Sequence, residues 1–409
     1  MAERRRARRV WRTAAAGLCL LLAAPLSGCG GGTAADSARA QVQRVLDARA
    51  AALLGHDETA YGATGTRTDY ARLRTLPLAS WTYRVTGLHG TGQDATADAE
   101  LRYRVAGYDR APVSVRRTLT LGRTADGKWY VTADRPARKA GQQLWDEGAV
   151  TAVEGAHSLV LGTGRSAGAL RGYARLADRA VPAVSGAWGT AWSRRVVVLV
   201  PRTLEGMAGL LGSPAADYRG IAAVTTGEVG GSGQARSGGG AGAAPADRVV
   251  VNPEAYAGLG DVGKQVVLTH ETTHVATRAY TTTATPLWLS EGYADWIGYL
   301  GTGRTSAEAA PELARAVQDG QVPPALPADK DFRFSSDPVR LAQAYEGGWL
   351  ACRMIADDWG PARLGAFYRA VGSRAKREGA LDEALGKVLG TTPAAFTARW
   401  REYVRDQLG

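Results

Sequence analysis

Residues 266–299 read VVLTHETTHVATRAYTTTATPLWLSEGYADWIGY, and this stretch decides how the rest of the chain is read. His270-Glu271-Thr272-Thr273-His274 is an HExxH motif. On a helix, His270 and His274 stand one turn above each other on the same face. Two neutral imidazoles so placed hold a single Zn²⁺ at about 2.0–2.1 Å. Glu271 lies beside that face, where a carboxylate takes a proton from a metal-bound water. Beyond Pro286 a second helical pattern sets Glu291 and Asp295 one turn apart on one face. A catalytic zinc takes three protein ligands and leaves one position open, so Glu291 is the natural third. Asp295 is then expected to accept the free ring N–H of His270 and fix its tautomer. Plainer readings stand beside these: an amphipathic helix carrying two polar histidines, followed by a solvated acidic face.

HETTH followed by WLSEGYADW resembles the gluzincin metallopeptidases, and most closely the peptidase MA-like group of bacterial envelope proteins. The resemblance runs from about Gln142 to the C-terminus and is strongest over Val249–Tyr299 and Ala344–Gly360. It implies a thermolysin-like domain with a mixed sheet and a mostly helical C-terminal part. Within it, His270, His274 and Glu291 would hold Zn²⁺, Glu271 would be the general base, and a peptide or protein would be the substrate. In the resembling family a later Tyr or His faces the zinc. Tyr345, in Ala344-Tyr345-Glu346-Gly347-Gly348-Trp349, would there donate its phenol to the oxyanion; a ring packed in the helical subdomain is the other reading. Asp247–Pro253 would be the edge strand above the metal, along which an extended peptide pairs; a plain sheet strand beside a loop is the other reading. Two departures limit the likeness. The spacer to Glu291 is shorter than in the large aminopeptidases, and their GxMEN signature is absent, so aminopeptidase activity is not implied.

The chain has 409 residues and is 45% hydrophobic, enough for two domains beyond a leader. Residues 1–28 read as a lipoprotein signal peptide, with six arginines up to Arg12 and an apolar run over Thr13–Leu26. Leu26-Ser27-Gly28-Cys29 resembles a lipobox whose Cys29 carries the lipid, which implies anchoring at the extracytoplasmic face of the cell membrane. Residues 29–37 would be a tether. Without residues 1–28, 44 basic and 38 acidic residues remain, for a net charge of +6. No Lys/Arg-rich helix follows the leader, so nucleic-acid binding is unsupported. Cys352 would be left alone as a buried small hydrophobe.

Residues 38–135 read as a small α+β domain. Ala38–Leu54 is an amphipathic helix, and alternation over Trp81–Val85, Ala99–Val105, Val113–Leu121 and Trp129–Val131 gives four antiparallel strands. The pattern resembles the NTF2-like fold, without an evident polar constellation, and suits spacing or substrate docking. Residues 141–409 would form the peptidase domain. There Ala149–Leu161 reads as one strand, Ala167–Trp188 as a helix and Arg195–Val200 as a buried strand. Gly227–Ala246 is a Gly-rich surface loop. The HExxH helix is expected from an Asp261 N-cap to about Tyr280. The fold class is thus α+β, and the function a lipid-anchored zinc metallopeptidase. An inactive zinc-binding or peptide-binding scaffold is the alternative.

Overall fold

The computed structural model describes residues 34–90, 94–226, 246–333 and 337–409. The leader, Cys29 and the Gly-rich stretch up to residue 245 lie outside the described residues. The described residues form a mixed α+β structure with two sheets. Among the described residues no helix is long and apolar enough to cross a membrane.

Helix α1 (Ala34–Leu54) begins four residues before the expected start, and its buried face carries Val42, Leu46 and Leu53. It lies against an antiparallel meander of β1 (Leu78–His89), β2 (Ala95–Val105), β3 (Val113–Arg123) and β4 (Trp129–Pro136), paired in that order. Period-two alternation buries Trp81, Tyr83 and Val85 on β1 and leaves Thr82 and Arg84 outside. The same register turns Arg117 inward in line with Leu119 and Leu121, at 2% exposure. A buried cation is tolerable only when paired. Arg117 donates to Asp134 at 2.6 Å and, through both terminal nitrogens, to Asp146 at 2.8 and 2.9 Å. Tyr83 also donates to Asp134, at 2.6 Å. This is a polar constellation that the strand patterns did not announce.

Asp146 lies in the short helix Leu144–Glu147, beyond the expected boundary, so the Arg117 network ties the two halves together. Apolar packing does the same. Trp145 lies 5.2 Å from Trp81 and 5.1 Å from Tyr103, ring centre to ring centre, and this core continues into Val150, Leu159, Leu161 and Val197 of the second sheet.

That sheet contains β5 (Val150–Glu154), β6 (Ser158–Thr163), β7 (Val196–Val200), β8 (Ala223–Thr225) and β9 (Arg248–Val251), in the spatial order β5-β6-β7-β9-β8. The stretch read as one strand over Ala149–Leu161 is a hairpin. Asp178 accepts from Ala156 N and His157 N and so pins the turn, which leaves His157 outside either strand. The β7 run is apolar throughout because both faces are covered. Val196, Val198 and Val200 meet helix α2 (Ala167–Trp188), while Val197 faces the first unit. The expected edge strand over Asp247–Pro253 is corrected as well. Its core, β9, is interior, parallel to β7 and antiparallel to β8, and β8 is the edge. Three residues are too few for alternation to reveal a strand.

Helix α3 (Asp261–Thr277) carries HExxH. Its N-cap is Gly260, Asp261 stands in the first turn, and a 3₁₀ turn over Arg278–Tyr280 follows it. Helix α4 (Leu287–Tyr299) starts after Pro286 and packs on α3 and on α5 (Pro338–Trp359). Glycines set these approaches. A Cβ on Gly292 would collide with the carbonyl of Gly348, and one on Gly348 would lie 2.8 Å from Trp288 O. Gly298 faces α3 at a looser but still tight approach, where an added Cβ would meet Val266 at 3.2 Å. Gly292→Ala is therefore expected to force α4 and α5 apart and to cost about 1–3 kcal/mol of stability, read as a lower urea midpoint. An unchanged midpoint would contradict this packing.

Candidate metal centre

Helical spacing along α3 brings the Nε2 atoms of His270 and His274 to 2.9 Å. Helix α4 supplies Glu291, whose Oε2 lies 3.3 Å from His270 Nε2 and 3.6 Å from His274 Nε2. A tetrahedral ion with bonds of 2.0–2.1 Å needs its ligand atoms about 3.3–3.4 Å apart, and the three separations bracket that edge. The donor set, two imidazoles and one carboxylate, leaves a fourth position and so fits a catalytic zinc. Among the described residues this trio forms the one group of His, Cys, Asp and Glu with metal-holding geometry. His274 and Glu291 are 2% and 9% exposed, and His270 is half-buried.

Asp295, one turn beyond Glu291, lies 2.7 Å from His270 Nδ1. The carboxylate only accepts, so Nδ1 carries the proton and Nε2 is turned to the metal position. Burial opposes charge on His270, but Asp295, with Glu291 and Glu271 nearby, outweighs it and holds the imidazole well above the ordinary histidine value. Burial would also raise Glu291, yet His274 and His270 beside it hold its carboxyl well below the usual carboxylate range. Without metal, then, His270 favours its protonated form.

Glu271 is 6% exposed. Its Oε2 accepts a 2.6 Å hydrogen bond from Thr225 Oγ1 on the edge strand β8, a contact absent from the sequence reading. Arg278, just past α3, donates to Asp247 at 2.8 Å and to Thr226 O at 3.0 Å. It thus ties the end of β8 and the start of β9 to the metal helix. Tyr345 sits on α5, half-buried, with its ring edge-on to Phe332 at 5.2 Å. Next to it Glu346 accepts from the backbone of Glu312 and Leu313 at the start of a neighbouring helix. Cys352 is buried in the helical core. His56 and His89 are exposed, and His89 lies 2.9 Å from Asp98.

No protein-family model matches the chain, and no curated protein matches it. Among solved structures, an M1 zinc metallopeptidase from Deinococcus radiodurans is similar at 12% identity, with 83% of this chain and 94% of that chain covered and a TM-score of 0.34. A mutant of it bound to a Tyr-Ser-Ala substrate matches at 11% identity over 83% and 95%, also at 0.34. The same mutant described without substrate matches at 11% identity over the same shares, with a TM-score of 0.35. A likeness this loose carries no argument about the chain.

Two outcomes follow from the geometry. Because His270 must shed its extra proton to bind metal, zinc uptake near neutral pH should release about one proton, and affinity should fall as pH drops. Calorimetry in buffers of different ionisation enthalpy reads this directly, and no buffer dependence would contradict it. Asp295→Ala should weaken zinc binding roughly 10–100-fold in a competition titration against a chelator.

Proposed function

We propose that the chain is a zinc metallopeptidase of the gluzincin kind, lipid-anchored through Cys29 on the extracytoplasmic face of the membrane. The observation that carries this reading is the convergence of His270 with buried His274 and Glu291 from two helices, with Glu271 on the same helix as the histidines. A zinc ion held by those three residues supplies Lewis acidity to a water or carbonyl oxygen.

The chain's own residues do the rest. Glu271 takes a proton from the attacking water and passes it to the leaving amine. Asp295 keeps His270 in the tautomer that presents Nε2. An extended peptide pairs its backbone with β8, the edge strand among the described residues, the role first expected of Asp247–Pro253. We assign Tyr345 as the donor to the developing oxyanion, a contribution worth about 2.7–4 kcal/mol where such donors are removed. The first unit, read as NTF2-like over residues 38–135, spaces or docks the substrate. A peptide-binding scaffold would need the metal ligands at most, and it gives no reason for a buried Glu271.

Glu271→Gln should retain zinc and lose roughly 10²–10⁴-fold in turnover on a diverse peptide library. Equal cleavage by the variant and the wild type would remove Glu271 from the mechanism.

A further inference from the structure

Thr225 is 1% exposed, and both hydrogen bonds of its hydroxyl end on Glu271. One goes to the carboxylate Oε2 at 2.6 Å and the other to the backbone oxygen of the same residue at 3.1 Å. No such contact is needed to build β8. Its ladder to β9 is made by backbone groups, with Thr225 in register with Val249. A buried hydroxyl must find a partner, and here the partner is the group on which the proposed reaction turns.

We infer that Thr225 is a positioning residue for the general base, linking the substrate-binding edge to Glu271. The inference rests on the peptidase reading above. A glutamate side chain has three rotatable bonds, so a carboxylate expected to meet a water at one point loses rate whenever it swings away. The Thr225 bond removes that freedom by holding Oε2. The hold lasts through both states of the base. With Glu271 ionised, the O–H points at Oε2. With the water's proton on Oε1, Oε2 remains an acceptor for the same O–H. Thr225 itself takes and gives no proton. Because Thr225 lies on the edge strand, a peptide that pairs with β8 also settles the strand that holds the base.

The test uses the full chain with zinc and the best-cleaved member of a peptide library. Thr225→Val, which keeps the shape and removes the hydroxyl, should lower kcat roughly 10–100-fold while KM and zinc content stay at wild-type values. Thr225→Ser should recover most of that loss. A second readout needs neither zinc nor activity. In metal-free protein, urea midpoints of Thr225→Val, Glu271→Gln and the double variant should be non-additive, the double falling less than the two singles combined. Wild-type kcat in Thr225→Val, or a loss of kcat that Thr225→Ser does not repair, overturns the inference while leaving the peptidase reading intact. If Glu271→Gln cleaves as well as the wild type, or the wild type cleaves nothing, the peptidase reading fails. The role of Thr225 then fails with it, whatever the metal-free midpoints show.

Discussion

Two imidazoles and two carboxylates share one largely buried volume between α3 and α4, and the surrounding structure is arranged to make that tolerable. Buried charges cost several kcal/mol each unless they are paired. Here His270 lies between Asp295 and Glu291, and Glu291 reaches both histidines. The arrangement needs α3 and α4 to approach closely and to stay in register. Gly298 permits the first, since a side chain there would press on Val266. The contact of Gly292 with Gly348 fixes the second by locking α4 backbone-to-backbone on α5, one residue from Glu291. Gly348, within the Ala344–Gly360 stretch of the family resemblance, thus has a role in helix packing.

The first unit takes part in this support. Asp109, from the loop between β2 and β3, accepts from Ala246 N at 2.9 Å and from Arg248 at 2.8 Å. It also accepts from Val105 N at 2.7 Å. The start of β9 is therefore held from the N-terminal side by Asp109, while Arg278 holds neighbouring Asp247 from the metal helix. Since β8 pairs with β9, the edge beside Glu271 depends on both. The Arg117–Asp134–Asp146 network and the tilted and edge-on packing of Trp145 against Trp81 and Tyr103 join the same halves elsewhere.

What was legible in the sequence followed from strong periodicity. His270, His274, Glu291 and Asp295 could be placed because a helix converts spacing into a face, and four residues is one turn. The first meander was equally open, since its strands are long and alternate cleanly. The misreadings have local causes. Ala149–Leu161 seemed one strand because its apolar residues run on across Gly155-Ala156-His157, and only Asp178, some twenty residues away, makes a turn there. Strand β8 is short and owes its existence to pairing with β9, so Thr225 could not be placed beside Glu271 by pattern. Arg117 was readable in principle, because strict alternation from Leu121 and Leu119 puts it on the buried face. Its partners were not, since Asp134 and Asp146 come from separate elements.

The central claim is that His270, His274 and Glu291 together take one zinc ion. X-ray absorption on the purified chain loaded with one equivalent of zinc tests it most directly. The account predicts four nitrogen and oxygen neighbours at about 2.0–2.1 Å, two of them with the outer-shell scattering of imidazole, and loss of this shell in Glu291→Ala. A shell containing sulfur, or one unchanged by Glu291→Ala, would contradict it.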